Sequence, residues 1–145
     1  VDRITEIVEN VKRVEDLQSQ LDDRSKRATD TTSARQLADS AKAVRTKLEA
    51  VRAELYEVGC HADQCTLDMP VKIYNKFITL NMQMQSGAYA PTQAHLRTYD
   101  DLKGQLDTQL RILERIEAED LVRLNRMLEA LGLPAVHVPA RKPIA

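Results

Sequence analysis

Apolar residues recur at intervals of three and four along most of the chain, and this pattern predicts four helices. The first, over residues 2–28, carries Ile4, Ile7, Val11, Val14, Leu17 and Leu21, with Glu, Lys, Arg and Gln between them. Because an α-helix turns every 3.6 residues, those positions form one stripe. The run TDTTS over 29–33 interrupts it. Ser33, with Gln36 three residues on as a capping box requires, is expected to open the second helix over 33–58. Its stripe is the most regular in the chain: Leu37, Ala41, Val44, Leu48, Val51, Leu55 and Val58, ended by Gly59.

Asp68 is the expected N-cap of a third helix over 69–86, with Pro70 tolerated in its first turn. Ile73, Phe77, Leu80 and Met84 share one face, and Tyr74, Ile78 and Met82 widen it, so this helix is expected to be the most enclosed. The last, over 91–131, opens at Pro91 and Thr92. Its stripe runs Tyr99, Leu102, Leu106, Leu110, Leu113, Ile116, Leu121, Leu124, Leu128 and Leu131, and Gly132-Leu133-Pro134 stops it. Residues 134–145 hold three prolines and no period, which predicts an extended or disordered tail. Gly104 stands in mid-helix, where glycine costs about 1 kcal/mol against alanine. A close helix crossing or a bend is expected there.

Composition agrees with this pattern. With four glycines, five prolines and no Trp the chain lacks the turn chemistry of an all-β protein. The prediction is therefore all-α: one antiparallel up-down bundle of three to four long helices over residues 1–133, with short connections making sequential helices neighbours. Helix lengths add a consequence. At about 1.5 Å per residue the last helix spans roughly 60 Å against about 26 Å for the third. Its far half, with Ile116, Leu121, Leu124, Leu128 and Leu131, is expected to overrun its partners and form an interface. Residues upstream of Val1 or a second copy would cover it. Val1 is no initiator methionine, so a mature product or excised fragment is expected, and a missing signal peptide says nothing of compartment.

Charge narrows the partners. The 21 basic and 22 acidic residues are interspersed, and the only basic excess is Arg141-Lys142, too little for phosphate neutralisation. Nucleic acid is not an expected partner. No apolar run approaches the roughly 20 residues that span a bilayer.

Candidate chemistry is concentrated in GCHADQCTLDMP, residues 59–70, which holds Cys60, His61 and Cys65. A structural zinc site brings two Cys or His pairs together, whereas here one Cys-x4-Cys would need His61, Asp63, His95 or His137. A redox dithiol uses Cys-x-x-Cys, which is absent. A small-loop disulfide between Cys60 and Cys65 fits an oxidising compartment, and a plain connection carrying two thiols is the simplest reading. No metal or cofactor is therefore assigned. Di-iron bundles need Glu-x-x-His on two helices, and no Glu here precedes His at that spacing. The pairs Asp22-Asp23, Asp100-Asp101 and Glu119-Asp120 are expected to be solvated charges, because adjacent helical residues diverge. Met69, Met82, Met84 and Met127 are expected to pack in the core.

From Glu54 onward the order of elements resembles a known module. Asp68, Pro70, Lys72, Asn75-Lys76, Ala90-Pro91-Thr92, Asp120-Leu121, Asn125 and Gly132-Leu133-Pro134 follow the pattern of the helical region at the C-terminus of bacterial secreted proteins built on sialidase-like or sortilin-like (VPS10/BNR-repeat) β-propellers. The similarity covers about two-thirds of the chain and lies in caps, turns and packing positions. It implies a non-catalytic accessory bundle, periplasmic or extracellular, that docks to its own propeller or to a partner protein. Any hydrolase activity would belong to the propeller. The alternative is a stand-alone, spectrin-like coiled-coil adaptor that homodimerises. A cofactor-binding bundle ranks third.

Overall fold

The computed structural model describes residues 2–27, 32–56, 72–87 and 90–139. Among them every regular element is helical: α1 (Asp2–Arg27), α2 (Thr32–Leu55), α3 (Ile73–Ser86), α4 (Gln93–Arg115), a π-helical turn (Ile116–Asp120) and α5 (Leu121–Ala130). The chain is an all-α bundle, as the stripes require.

Several boundaries differ from expectation for local reasons. α2 begins at Thr32, so Ser33 lies inside its first turn instead of capping it. α3 begins at Ile73, and its N-cap Lys72 is extended with no side-chain bond. Asp68, the expected cap, and Pro70 lie outside the described residues. α4 is capped by Thr92, whose hydroxyl accepts the His95 N–H at 3.3 Å while His95 Nδ1 accepts the Thr92 N–H at 3.2 Å. Histidine here takes the reciprocal role that Glu or Gln fills in the usual capping box. At the far end Gly132 has φ +69°, and two bonds close the helix: Gly132 N–H to the Glu129 carbonyl (3.0 Å) and Leu133 N–H to the Leu128 carbonyl (2.9 Å). That is the Schellman arrangement, which glycine adopts without strain.

Contacts between helices give their directions. Arg45 pairs with Asp22 at 3.0 Å, Glu49 accepts from Gln18 at 2.9 Å and Arg52 lies 3.7 Å from Glu15. As numbers fall on α1 they rise on α2, so the two are antiparallel. Arg3 faces Asp107, Arg13 bonds Glu117, and Arg24 reaches the Pro134 carbonyl, so α1 runs parallel to α4 and α5. α3 forms a tight antiparallel hairpin with α4, marked by the edge-on Phe77–Tyr99 pair at 6.1 Å. It follows that α3 runs in the same direction as α2. The two meet through Tyr56 and Tyr74, edge-on at 5.1 Å, and α3 continues the α2 column. The arrangement is three columns, α1, α2 followed by α3, and α4–α5.

The core follows the stripes closely. Ile7, Val14, Leu17 and Leu21 of α1 and Leu37, Leu48, Val51 and Leu55 of α2 are buried, with Leu106, Leu113, Leu121, Leu124 and Leu128 of the long column. α3 is not the most enclosed helix. It buries Ile73, Phe77 and Leu80, while Met82 is 64% exposed, because the third column at this level is only the start of α1. Met84 and Met127 pack at the core edge.

Gly104 has no crossing helix close beside it. It is exposed inside α4, and nothing lies within 4 Å of where a Cβ would stand. Replacing it removes a backbone-entropy cost at no steric expense. Gly104→Ala is expected to raise stability by about 1 kcal/mol. Urea denaturation checks this, and unchanged or lower stability would mean that the glycine has a packing role.

Candidate functional site

The long column departs from regular α-geometry once, and the cause is in its stripe. Apolar positions advance by three or four up to Ile116, then skip five residues to Leu121. On an α-helix five residues turn about 500°, which would carry Leu121 some 140° off the core face. The π-helical turn absorbs the extra residue: the Leu121 N–H bonds the Ile116 carbonyl, and both side chains stay buried.

That turn also gathers charge. Glu117 receives both arms of the Arg13 guanidinium, Nε on Oε1 and Nη2 on Oε2, and each side chain is only 10% exposed. Asp120, 12% exposed, accepts from Lys47 Nζ at 3.1 Å and Arg123 Nη2 at 2.7 Å. The turn is thus tied to α1 and α2 at once. Asp120 is accordingly not a freely solvated charge. Asp22 pairs with Arg45, and Asp23 with Arg24 and Arg27. A shallow polar depression between α1 and α2 is lined by Glu15, Gln18, Asp22 and Arg45, with Glu49 at hydrogen-bonding distance of Gln18. Hydrogen bonds from Arg52, opposed by burial and aided by Gln18, hold the Glu49 carboxyl below the usual range.

The five apolar residues expected to form an interface at the far end are covered within the chain. Ile116, Leu121, Leu124 and Leu128 are buried, and Leu131 is half-buried. Because α1 runs parallel to α4–α5, its C-terminal half stands at this level, and α2 packs against the π-turn and α5. Residues after Gly132 add a further cover. They turn back as an extended segment in which Val136 is 3% exposed.

The overhang lies at the opposite end. Leu96 sits one turn before Tyr99 on the inward stripe of α4, yet is 51% exposed. Arg3, near the start of α1, reaches Asp107 and lies beside Tyr99, so α1 covers the stripe to Tyr99 and stops short of Leu96. With Met82 on α3, Leu96 places the two most exposed large apolar side chains among the described residues at the α3–α4 hairpin end; Ile112 and Val122, farther along the column, are exposed singly.

Cys60 and Cys65 lie outside the described residues, as does His61. His95 is in the first turn of α4 and His137 is docked near the end of α5, about 45 Å apart at helical rise, so the two do not share a site. Among the described residues no three His, Cys, Asp or Glu side chains converge on a cation-sized space, and no helix is long and apolar enough to cross a membrane. No family model, curated protein or solved structure matches this chain.

Proposed function

We propose that this chain is a non-catalytic helical module that docks to a protein surface through its α3–α4 hairpin end. The exposure of Leu96 carries the reading. A large aliphatic residue in line with a core stripe is left half in water where a neighbouring column stops, and with Met82 on the same end it offers apolar surface for a partner to cover. Met82 offers a flexible, adaptable contact beside it. The resemblance to the helical region that follows secreted β-propellers makes an adjoining propeller the first partner to test, in a periplasmic or extracellular protein.

A photo-crosslinking residue at position 96 tests the proposal in cells that make the protein. The expected result is one discrete adduct with a different protein, not formed when the crosslinker stands at Glu129 on the other end. An adduct of twice the chain's mass would instead favour the homodimerising adaptor. Labelling that is no stronger at 96 than at 129 would end the docking reading for this surface.

A further inference from the structure

Residues 134–138 are held in an unusual way for the end of a helical bundle. Arg24 Nε donates to the Pro134 carbonyl at 2.8 Å and its Nη2 to the Ala135 carbonyl at 3.3 Å. Asn125 of α5 clamps Val136 on both sides: its Oδ1 accepts the Val136 N–H at 2.8 Å and its Nδ2 donates to the Val136 carbonyl at 3.3 Å. Gln20 of α1 does the same for the next residue, accepting the His137 N–H at 2.7 Å and donating to its carbonyl at 2.8 Å. Successive residues of an extended chain present their backbone groups to opposite sides, so helices on either flank can each read one residue. The carboxamides here occupy the places that neighbouring strands take in a sheet.

All six bonds go to main-chain atoms. The seam between α1 and α5 therefore reads an extended backbone, and its apolar anchor is Val136, buried with the core, while Val138 two residues on packs partly against it. We infer that this seam is a receptor groove for an extended segment of another protein bearing a Val-like anchor, and that residues 134–138 fill it in cis. Backbone-directed bonding with one pocket is how extended peptides are captured at sheet edges, where affinity comes from the main chain and specificity from alternate side chains. Here helices supply the edge through amide side chains. The tethered tail competes at the effective concentration set by its short connection, in the millimolar range for such links. A partner must displace it, which makes the tail an internal brake on binding. This surface is separate from the hairpin end, and neither inference depends on the other.

The experiment uses the full chain carrying Val136→Asp, which expels the tail from its pocket and leaves the groove intact. The probe is a fluorescein-labelled peptide of residues 133–139, followed by anisotropy. The variant is expected to bind the peptide at least about tenfold more tightly than the wild-type chain, whose groove is mostly occupied. Gln20→Leu and Asn125→Leu added to it should remove the binding. A folded Val136→Asp chain that binds no better than wild type would overturn the proposal. So would a wild-type dimer, lost in that variant, because the occupant would then be the tail of a second copy. Should Val136→Asp not fold, wild-type hydrogen exchange decides. The Val136 and His137 amides are expected to exchange at least about 100-fold faster than core amides of α1 and α5, reporting tail opening without unfolding. Exchange only through global unfolding would make the tail a fixed part of the core and sink the groove.

Discussion

Deleting Ala118 is expected to leave the chain folded, within about 2 kcal/mol of its original stability, whereas deleting Thr108 is expected to unfold it. Both residues are exposed and both lie in the long column, so composition does not distinguish them. Geometry does. Removing Thr108 rotates the residues that follow by about 100° on the helix as far as the π-turn, which can restore register beyond it by relaxing to an α-turn. Leu110, Leu113 and Ile116 would still leave the core together. At about 1.5–3 kcal/mol for each large aliphatic side chain, the loss is roughly 5–9 kcal/mol, comparable with the whole stability of a domain. Removing Ala118 shortens the step from Ile116 to Leu121 from five residues to four, the step already present between Leu102 and Leu106. The π-turn then relaxes to an α-turn with Glu117 still next to Ile116 and Asp120 still next to Leu121. Circular dichroism and urea melts of the two deletions decide the matter. If the Ala118 deletion unfolds as the Thr108 deletion does, the π-turn is not a simple register correction.

The second large effect concerns the pair that ties this turn to α1. Arg13→Ala is expected to cost about 3 kcal/mol, at the lower end for breaking a buried ion pair, since Glu117 retains some access to water. The paired replacement Arg13→Met with Glu117→Leu should recover most of the loss, because the charge left behind does more damage than the missing attraction. Measuring Arg13→Met, Glu117→Leu and the double by urea denaturation closes the cycle. A double variant as unstable as Arg13→Ala would show that the guanidinium bonds themselves, rather than the orphaned carboxylate, hold the turn.

The fold was largely legible because burial obeys periodicity. Every described member of the Leu37-to-Leu55 stripe is buried, and Gly132 terminates the last helix with the dihedrals its position implies. The skip from Ile116 to Leu121 was equally visible, since a five-residue step in a stripe of threes and fours announces a π-turn. Direction was not legible. The connection from Tyr56 to Lys72 is long enough to let α3 continue along the α2 column, and no local signal fixes which way it goes. That reversal moved the overhang from the Ile116–Leu131 half of the long column to the Leu96 end. The tail clamps were hidden for another reason. Gln20 and Asn125 are two of many carboxamides on polar helix faces, and only the fold shows that they flank the same segment.

The distance in sequence between Arg13 and Glu117, 104 residues, bears on how the chain acquires its shape. The α1–α2 and α3–α4 hairpins bring together residues near in sequence and lose little chain entropy on closing, so they can assemble early. Parallel alignment of α1 with α4–α5 closes nearly the whole chain into a loop, and the Gln20–His137 contact closes slightly more. Interactions that form after the rate-limiting barrier act on the unfolding limb alone. The column pairing that fixes the bundle's three-column order is thus set to govern how long the folded chain persists, while the two hairpins govern how fast it forms.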